Sequence, residues 1–315
     1  TAATVRLNGH SFGEHPGGFT PFSHDITDAL HDLSENQLEV LLDSRERSDI
    51  PPFGYTVDYM VFGGLYRDVR LRYVEPLHIQ RAHVRTSDVL SDAARVEVDV
   101  ILRNQGSPQD FSLHVKLLDS HGEGLKSASL SGRSQPGDHK FTLTLEGLSA
   151  IQRWSLDHPA LYEAEITLLQ GDAVLDEQIV RFGFREAVFR DDGFYLNGQR
   201  VQLRGLNRHQ TYPYIGAAAP ARLQRKDAEI VKYELGCNVV RTSHYPQSTH
   251  FLGRCDEIGL LVFEEIPGWQ HVGDEDWQAL TLRDVRAMIE RDANHPSIII
   301  WGVRINESWD NHDFY

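Results

Sequence analysis

Ionisable and amide side chains gather just past four runs of β-forming residues in the last third of this chain. Asn207-Arg208-His209 follows Val201–Leu206, and Arg241-Thr242-Ser243-His244-Tyr245 closes Cys237–Arg241. Glu264-Glu265, then Trp269 and His271, follow Leu260–Phe263, and Asn306-Glu307 follows Ile298–Val303. A carboxylic acid such as Glu307 can pass a proton to and from a reacting oxygen. Asn306, His209 and His244 can hydrogen-bond hydroxyls. The faces of Trp269 and Trp301 can stack on the apolar side of a sugar ring. Each also has a plainer reading. Glu307 could be a solvated loop carboxylate, Glu264 and Glu265 could both pair with Arg241, and the histidines and tryptophans could be packing. Two His and two Glu also suggest zinc, but the spacings are long and no HExxH occurs.

The elements that carry these residues alternate. Helical spacing runs over Ala221–Leu235, Thr249–Ile258 and Trp277–Ala293, between strands. Runs such as Ile298-Ile299-Ile300-Trp301 are continuously apolar, as parallel strands covered on both faces require. The pattern βαβαβαβ fits the first half of a (β/α)8 TIM barrel or a small doubly wound sheet. In a barrel, polar residues at the C-terminal strand ends share one mouth, the catalytic face. No glycine-rich phosphate loop follows the first strand and no GxSxG elbow occurs, which points away from nucleotide enzymes and serine hydrolases.

Upstream the grammar is all β. Residues 1–76 hold short runs punctuated by Asn8-Gly9, Gly17-Gly18, Pro51-Pro52 and Gly63-Gly64, with strands expected at Gln37–Leu42 and Asp68–Tyr73. This reads as a jelly-roll-like β-sandwich piece. Residues 77–185 alternate with period two, for example Arg95–Val100 and Phe111–Leu117, as in an immunoglobulin-like β-sandwich. Residues 186–315 are the barrel segment, so the fold class is multidomain β plus α/β.

The chain has 315 residues, 24 % charged and 40 % hydrophobic, and a net charge of −15 from 31 basic and 46 acidic residues. An acidic surface disfavours nucleic acid and anionic membranes as partners. No apolar run approaches the ~18 residues of a spanning helix. Cys237 and Cys255 read as reduced thiols.

Several motifs in order resemble glycoside hydrolase family 2, most closely its β-galactosidase branch. They are Val5-Arg6-Leu7-Asn8-Gly9 with Gly17-Gly18-Phe19-Thr20-Pro21-Phe22; Gly63-Gly64-Leu65-Tyr66-Arg67-Asp68-Val69; and Trp154-Ser155 through His158-Pro159-Ala160-Leu161-Tyr162. Further on come Arg204-Gly205-Leu206-Asn207-Arg208-His209, Arg241-Thr242-Ser243-His244-Tyr245-Pro246, and Asn294-His295-Pro296-Ser297 leading to Asn306-Glu307-Ser308. The resemblance implies that Glu307 is the general acid/base and that Asn306 contacts the substrate 2-hydroxyl. His209, His244 and Asp58 would line the sugar subsite, and Arg241 and Glu265 would support it; to these the residues' own chemistry adds Trp269 as a stacking face and Glu264 as a second partner of Arg241. Four residues, not three, separate Trp301 from Asn306, so a bulge is expected near the strand end. Trp269 stands where magnesium-dependent relatives carry a glutamate, two residues before a histidine. No metal or other cofactor is therefore predicted, and Mg2+ is disfavoured.

The implied reaction is retaining hydrolysis of terminal β-D-galactosides, whose nucleophile would lie beyond Tyr315. The chain then reads as an excerpt, truncated in its first segment, inactive alone, and partnered by the rest of the barrel or another subunit in a homo-oligomer. A β-glucuronidase, or a non-catalytic carbohydrate-binding fragment, are the alternatives. The compartment stays open, with the cytoplasm favoured and any targeting segment outside the chain.

Overall fold

Strand β1 (Ala2–Leu7) turns into β2 (His10–Pro16) through Asn8 and Gly9, whose φ angles of 52° and 82° are those of a tight hairpin. The computed structural model describes residues 1–32 and 34–314, so Tyr315 lies outside the described residues. Strand β3 (Leu38–Asp43) pairs with β1 on the other side, giving the order β2-β1-β3. The expected strand at Asp68–Tyr73 does not form. Its alternating Val69, Leu71 and Tyr73 are exposed, and no described strand lies beside it to take its backbone hydrogen bonds.

Seven strands follow: β4 (Leu77–Ser87), β5 (Ala94–Asn104), β6 (Gln109–Leu118), β7 (Gly124–Ser134), β8 (Gly137–Leu148), β9 (Tyr162–Gln170) and β10 (Ala173–Phe182). They make two antiparallel sheets, β4-β5-β8 and β10-β9-β6-β7, as in an immunoglobulin-like sandwich. Period-two alternation points Val96, Val98, Val100 and Leu102 inward against Leu113, Val115, Leu117, Ile166 and Leu168.

A short antiparallel meander comes next: β11 (Ala187–Arg190), β12 (Gly193–Leu196) and β13 (Gln199–Val201). The expected strand Val201–Leu206 is thus two strands, because Val201 ends the meander and Gly205 begins β14 (Gly205–Asn207). Gly205 lies against the Val239 carbonyl, and a Cβ there would sit 2.0 Å from that oxygen.

From β14 the chain alternates through α1 (Ala221–Glu229), β15 (Val239–Arg241), α2 (Thr249–Ile258), β16 (Leu261–Glu265), α3 (Glu275–Asp292) and β17 (Ile298–Gly302). The helical stretch after α1 widens into π geometry over Ile230–Glu234. Ser248 caps α2 and Asp274 caps α3 by accepting from backbone N–H groups, with Glu275 and Asp276 in the first turn of α3. The four strands β14-β15-β16-β17 lie in sequence order, all parallel, as expected for successive strands of a barrel.

Strand parity decides what faces where. Val240, Val262 and Ile298 pack with α1 and α2 side chains such as Ala228, Phe251 and Cys255. Val239, Leu261 and Ile299 pack on the other face against Trp154, Phe194 and Leu196. Continuing that parity places Arg241, Phe263 and Glu265 on the interior face. The one irregularity in β17 falls at Ile299, since Val262 pairs with Ile298 and Phe263 with Ile300. The expected bulge near Asn306 is therefore at the strand's start instead, and the chain simply bends away after Gly302.

Candidate active site

The interior ends of β15 and β16 are tied together by charge. The Glu265 carboxylate is fully buried and accepts from Arg241 Nε at 2.6 Å. Its other oxygen lies 2.7 Å from His244 Nδ1. A carboxylate only accepts, so Nδ1 carries the hydrogen, and Nε2 is the ring nitrogen left for a ligand. Thr242 Oγ1 accepts from the Glu265 backbone N–H at 3.0 Å. Arg241 stacks over Phe263, with its guanidinium carbon 5.4 Å from the ring centre. It then reaches the fourth strand's loop, donating from Nη2 to Asn306 Oδ1 at 2.8 Å. That contact occupies the amide oxygen and leaves its NH2 as a donor.

Glu264 does not serve Arg241. One residue along a strand reverses the face, and Glu264 points to the helix layer, 3.2 Å from Arg291 on α3. Burial, and then the neighbouring Asp292 carboxylate, push its pKa well above the usual range. Trp301 likewise packs with the α1–α2 cluster and offers no stacking face to the mouth.

An aromatic wall lines the same mouth. His244 stands 5.6 Å from His209 and 5.1 Å from Trp269, ring centre to ring centre. His209 is open at the rim. Lost hydration, then the His244 ring, hold its pKa below the ordinary value, against Asp58 and Glu265. Asp58 is exposed beside it, in the loop that follows β3. The neighbouring Tyr59 was not anticipated by the sequence. Its ring lies 5.7 Å from His209, 5.9 Å from His244, 5.5 Å from Tyr245 and 5.9 Å from Trp269. Its hydroxyl donates to the Gly268 carbonyl at 3.1 Å, and burial keeps its pKa raised. The only advance signal was its place next to Asp58.

Glu307 is half-buried in the loop after β17. Its Oε2 is closed off from solvent and has no hydrogen-bond partner among the described residues. The loop is pinned to the third loop: Ser308 Oγ donates to the Trp269 carbonyl at 2.9 Å, and Trp309 N–H to that of Gln270 at 2.8 Å. An oxygen placed in this way needs a hydrogen bond from outside the described residues, from water, ligand or further chain. Glu307, Asn306 and Trp269 thus sit on interlocked loops, with His244 and His209 joined to them through Arg241, Glu265 and the aromatic wall.

The residues present do not suit Mg2+, which wants several oxygen ligands. His271 packs edge-on to Trp277, at 5.7 Å between ring centres, and Trp269, two residues before it, offers no oxygen ligand. Among the described residues no three His, Cys, Asp or Glu side chains converge as a metal site.

Residues 188–315 match the family description "Glycosyl hydrolases family 2, TIM barrel domain", and residues 77–185 match "Glycosyl hydrolases family 2". The chain is 47 % identical over 316 aligned residues to a β-galactosidase of Thermoanaerobacterium thermosulfurigenes, covering 99 % of this chain and 44 % of that protein. It is 45 % identical to a β-galactosidase of Thermoanaerobacter pseudethanolicus, covering 100 % of this chain and 42 % of that protein. A crystal structure of Bacteroides uniformis β-glucuronidase superposes with a TM-score of 0.89 at 32 % identity, over 95 % of this chain and 37 % of that one. The chain therefore spans less than half the length of these relatives. With the sandwich strands and the barrel strands each matching that family's own description, the chain belongs to glycosyl hydrolase family 2.

Proposed function

We propose that the protein carrying this chain is a retaining β-glycosidase that releases terminal β-D-galactosyl groups, with Glu307 as its general acid/base. The observation that carries this reading is the fixed Asn306–Glu307 pair. Arg241 clamps the amide, while the adjoining carboxyl holds one oxygen unpartnered and out of water. In the first step Glu307 gives its proton to the glycosidic oxygen as the bond from C1 to that oxygen breaks, and a carboxylate nucleophile bonds to C1. In the second, Glu307 takes a proton from water, whose oxygen bonds to C1 and releases the nucleophile. The two carboxyl groups must stand about 5–5.5 Å apart. Glu265 is bridged by Arg241 and His244, and Glu264 faces α3, so neither is free to attack. The family resemblance implies instead a nucleophilic carboxylate on a later strand of the barrel, beyond Tyr315. Asn306, His209, His244 and Asp58 bind sugar hydroxyls, and Trp269 stacks on the ring.

The galactosyl preference is supported by the similarity to two β-galactosidases at 47 % and 45 % identity. The likeness to a β-glucuronidase structure supports the second reading, a β-glucuronosyl substrate. A panel of aryl β-galactoside and β-glucuronide distinguishes them.

Glu307→Gln tests the central assignment. Turnover should fall by about 10²–10⁴-fold. The loss should be larger for a sugar leaving group than for a nitrophenolate, which departs without a proton. Azide should restore turnover of the nitrophenyl substrate and yield the β-glycosyl azide. Wild-type turnover of a disaccharide by the variant would refute the role.

A further inference from the structure

On the pinned loop and beside it stand two aromatic side chains that the roles above leave unused. Trp309 is 49 % exposed and Tyr55 is 56 % exposed, and their ring centres lie 5.3 Å apart with planes at 52°. Paired aromatic rings present a stiff apolar surface on which the carbon–hydrogen side of a pyranose can stack. The inner wall is different in kind, since His244 and Trp269 are 6 % and 8 % exposed. The mouth thus passes from an enclosed wall to an open aromatic shelf.

The shelf is built from three separate stretches of chain. Gly54, at φ +131°, sets the backbone before Tyr55 directly against His271; a Cβ there would meet the imidazole Cδ2 at 2.0 Å. His271 lies 6.1 Å from the Trp309 ring and 5.7 Å from that of Trp277, whose Nε1 donates to the Phe53 carbonyl at 3.0 Å. Trp309 is held at its backbone by Gln270. Tyr55 and Trp309 are therefore placed by their neighbours rather than left on a loose loop.

Trp309 follows Glu307 by two residues, so their Cα atoms are separated by at most about 7.6 Å, two consecutive 3.8 Å steps. We infer that Tyr55 and Trp309 form the subsite for the leaving group, stacking on a hexopyranose whose departing oxygen takes the proton of Glu307. This rests on the glycosidase reading and extends it from the glycosyl ring to the group that is expelled. Two rings inclined at 52° make an angled apolar surface against which the carbon–hydrogen side of a pyranose can rest.

The test compares two substrates on the protein at its full natural length. β-Galactosyl fluoride has no sugar to stack, whereas a β-galactosyl-glucose disaccharide does. Trp309→Ala should lower the ratio of kcat/KM for the disaccharide to that for the fluoride by about tenfold, the scale of one lost aromatic contact. Tyr55→Ala should shift the ratio the same way, and Trp309→Phe should recover most of it, which keeps the test valid where the alanine variant fails to fold. Equal losses on both substrates, or an unchanged ratio, would overturn the assignment. A second readout needs no turnover. In the Glu307→Gln protein, calorimetric titration with the disaccharide should show about tenfold weaker binding when Trp309→Ala is added. Equal binding would reject the shelf, while absence of hydrolysis by the wild type with this weakening intact would reject only the glycosidase reading.

Discussion

Arg241 and Glu265 meet across adjacent parallel strands at 2.6 Å, and each holds a second partner: Asn306 for the guanidinium, His244 for the carboxylate. The pair is therefore a junction that ties three βα loops into one arrangement. An ion pair this enclosed gains little net stability over an apolar pair, because desolvation offsets the attraction. Its value lies in orientation.

Breaking it by Arg241→Ala leaves Glu265 buried without its cation and should cost about 3–5 kcal/mol, read as a lower melting temperature. Arg241→Lys keeps the charge but has no planar fork to span both Glu265 and Asn306. It should melt closer to the wild type while losing about tenfold or more in kcat/KM, because a loosened amide misplaces the adjoining acid. A lysine variant with wild-type kcat/KM would show that the clamp on Asn306 is irrelevant to turnover.

Gly302 makes the close approach of β16 and β17 feasible. A Cβ there would lie 2.6 Å from Phe263 Cε2, 2.8 Å from Glu265 Cβ and 3.2 Å from the Glu264 carbonyl oxygen. One of those neighbours is backbone, so the strands must part. Gly302→Ala should destabilise by about 1–3 kcal/mol, the usual range for overpacking. It should also lower kcat/KM, because the shift passes through Glu265 to His244 and Arg241. Thermal melting and steady-state kinetics on the same sample check both, and an alanine variant with neither change would mean that the strands separate freely.

The parts of this fold that were legible in the sequence are those written in local periodicity. The apolar runs of β15 to β17, the helical stripes between them and the alternation of β5, β6 and β9 each follow from the face their residues must bury. The polar residues at strand ends were legible for the same reason, since their positions follow the strands. What was not legible depends on partners far away in sequence. Asp68–Tyr73 has a strand's alternation but no strand beside it. Tyr59 sits in a stretch without period, and only the fold gives it the rings of His209, His244, Tyr245 and Trp269. Glu264 and Glu265 look alike in sequence. Strand parity separates them, and the apolar residues at Leu261 and Val262 do not say which face is inside until Trp154 and Phe194 are seen to cover one of them.

At the other end of β17 a second charged cluster ties α2 to the strand. Asp256 is buried, with one oxygen 2.5 Å from His295 Nδ1 and the other accepting from Ser297 Oγ at 2.6 Å and from its backbone N–H at 3.1 Å. Burial disfavours the imidazolium, but the Asp256 carboxylate outweighs it, with Asp292 assisting and Arg291 opposing, and the net pKa is raised above 6.5. A group whose folded pKa exceeds its unfolded value stabilises fully below the unfolded value, and that contribution fades as pH rises through the folded one. The melting temperature of the wild type should therefore exceed that of His295→Gln by more at about pH 6 than at about pH 9. Calorimetry of both proteins at the two pH values measures the difference. A gap that stays constant, or widens in alkali, would mean that the imidazole beside Asp256 is neutral throughout and acts only as a hydrogen-bond donor.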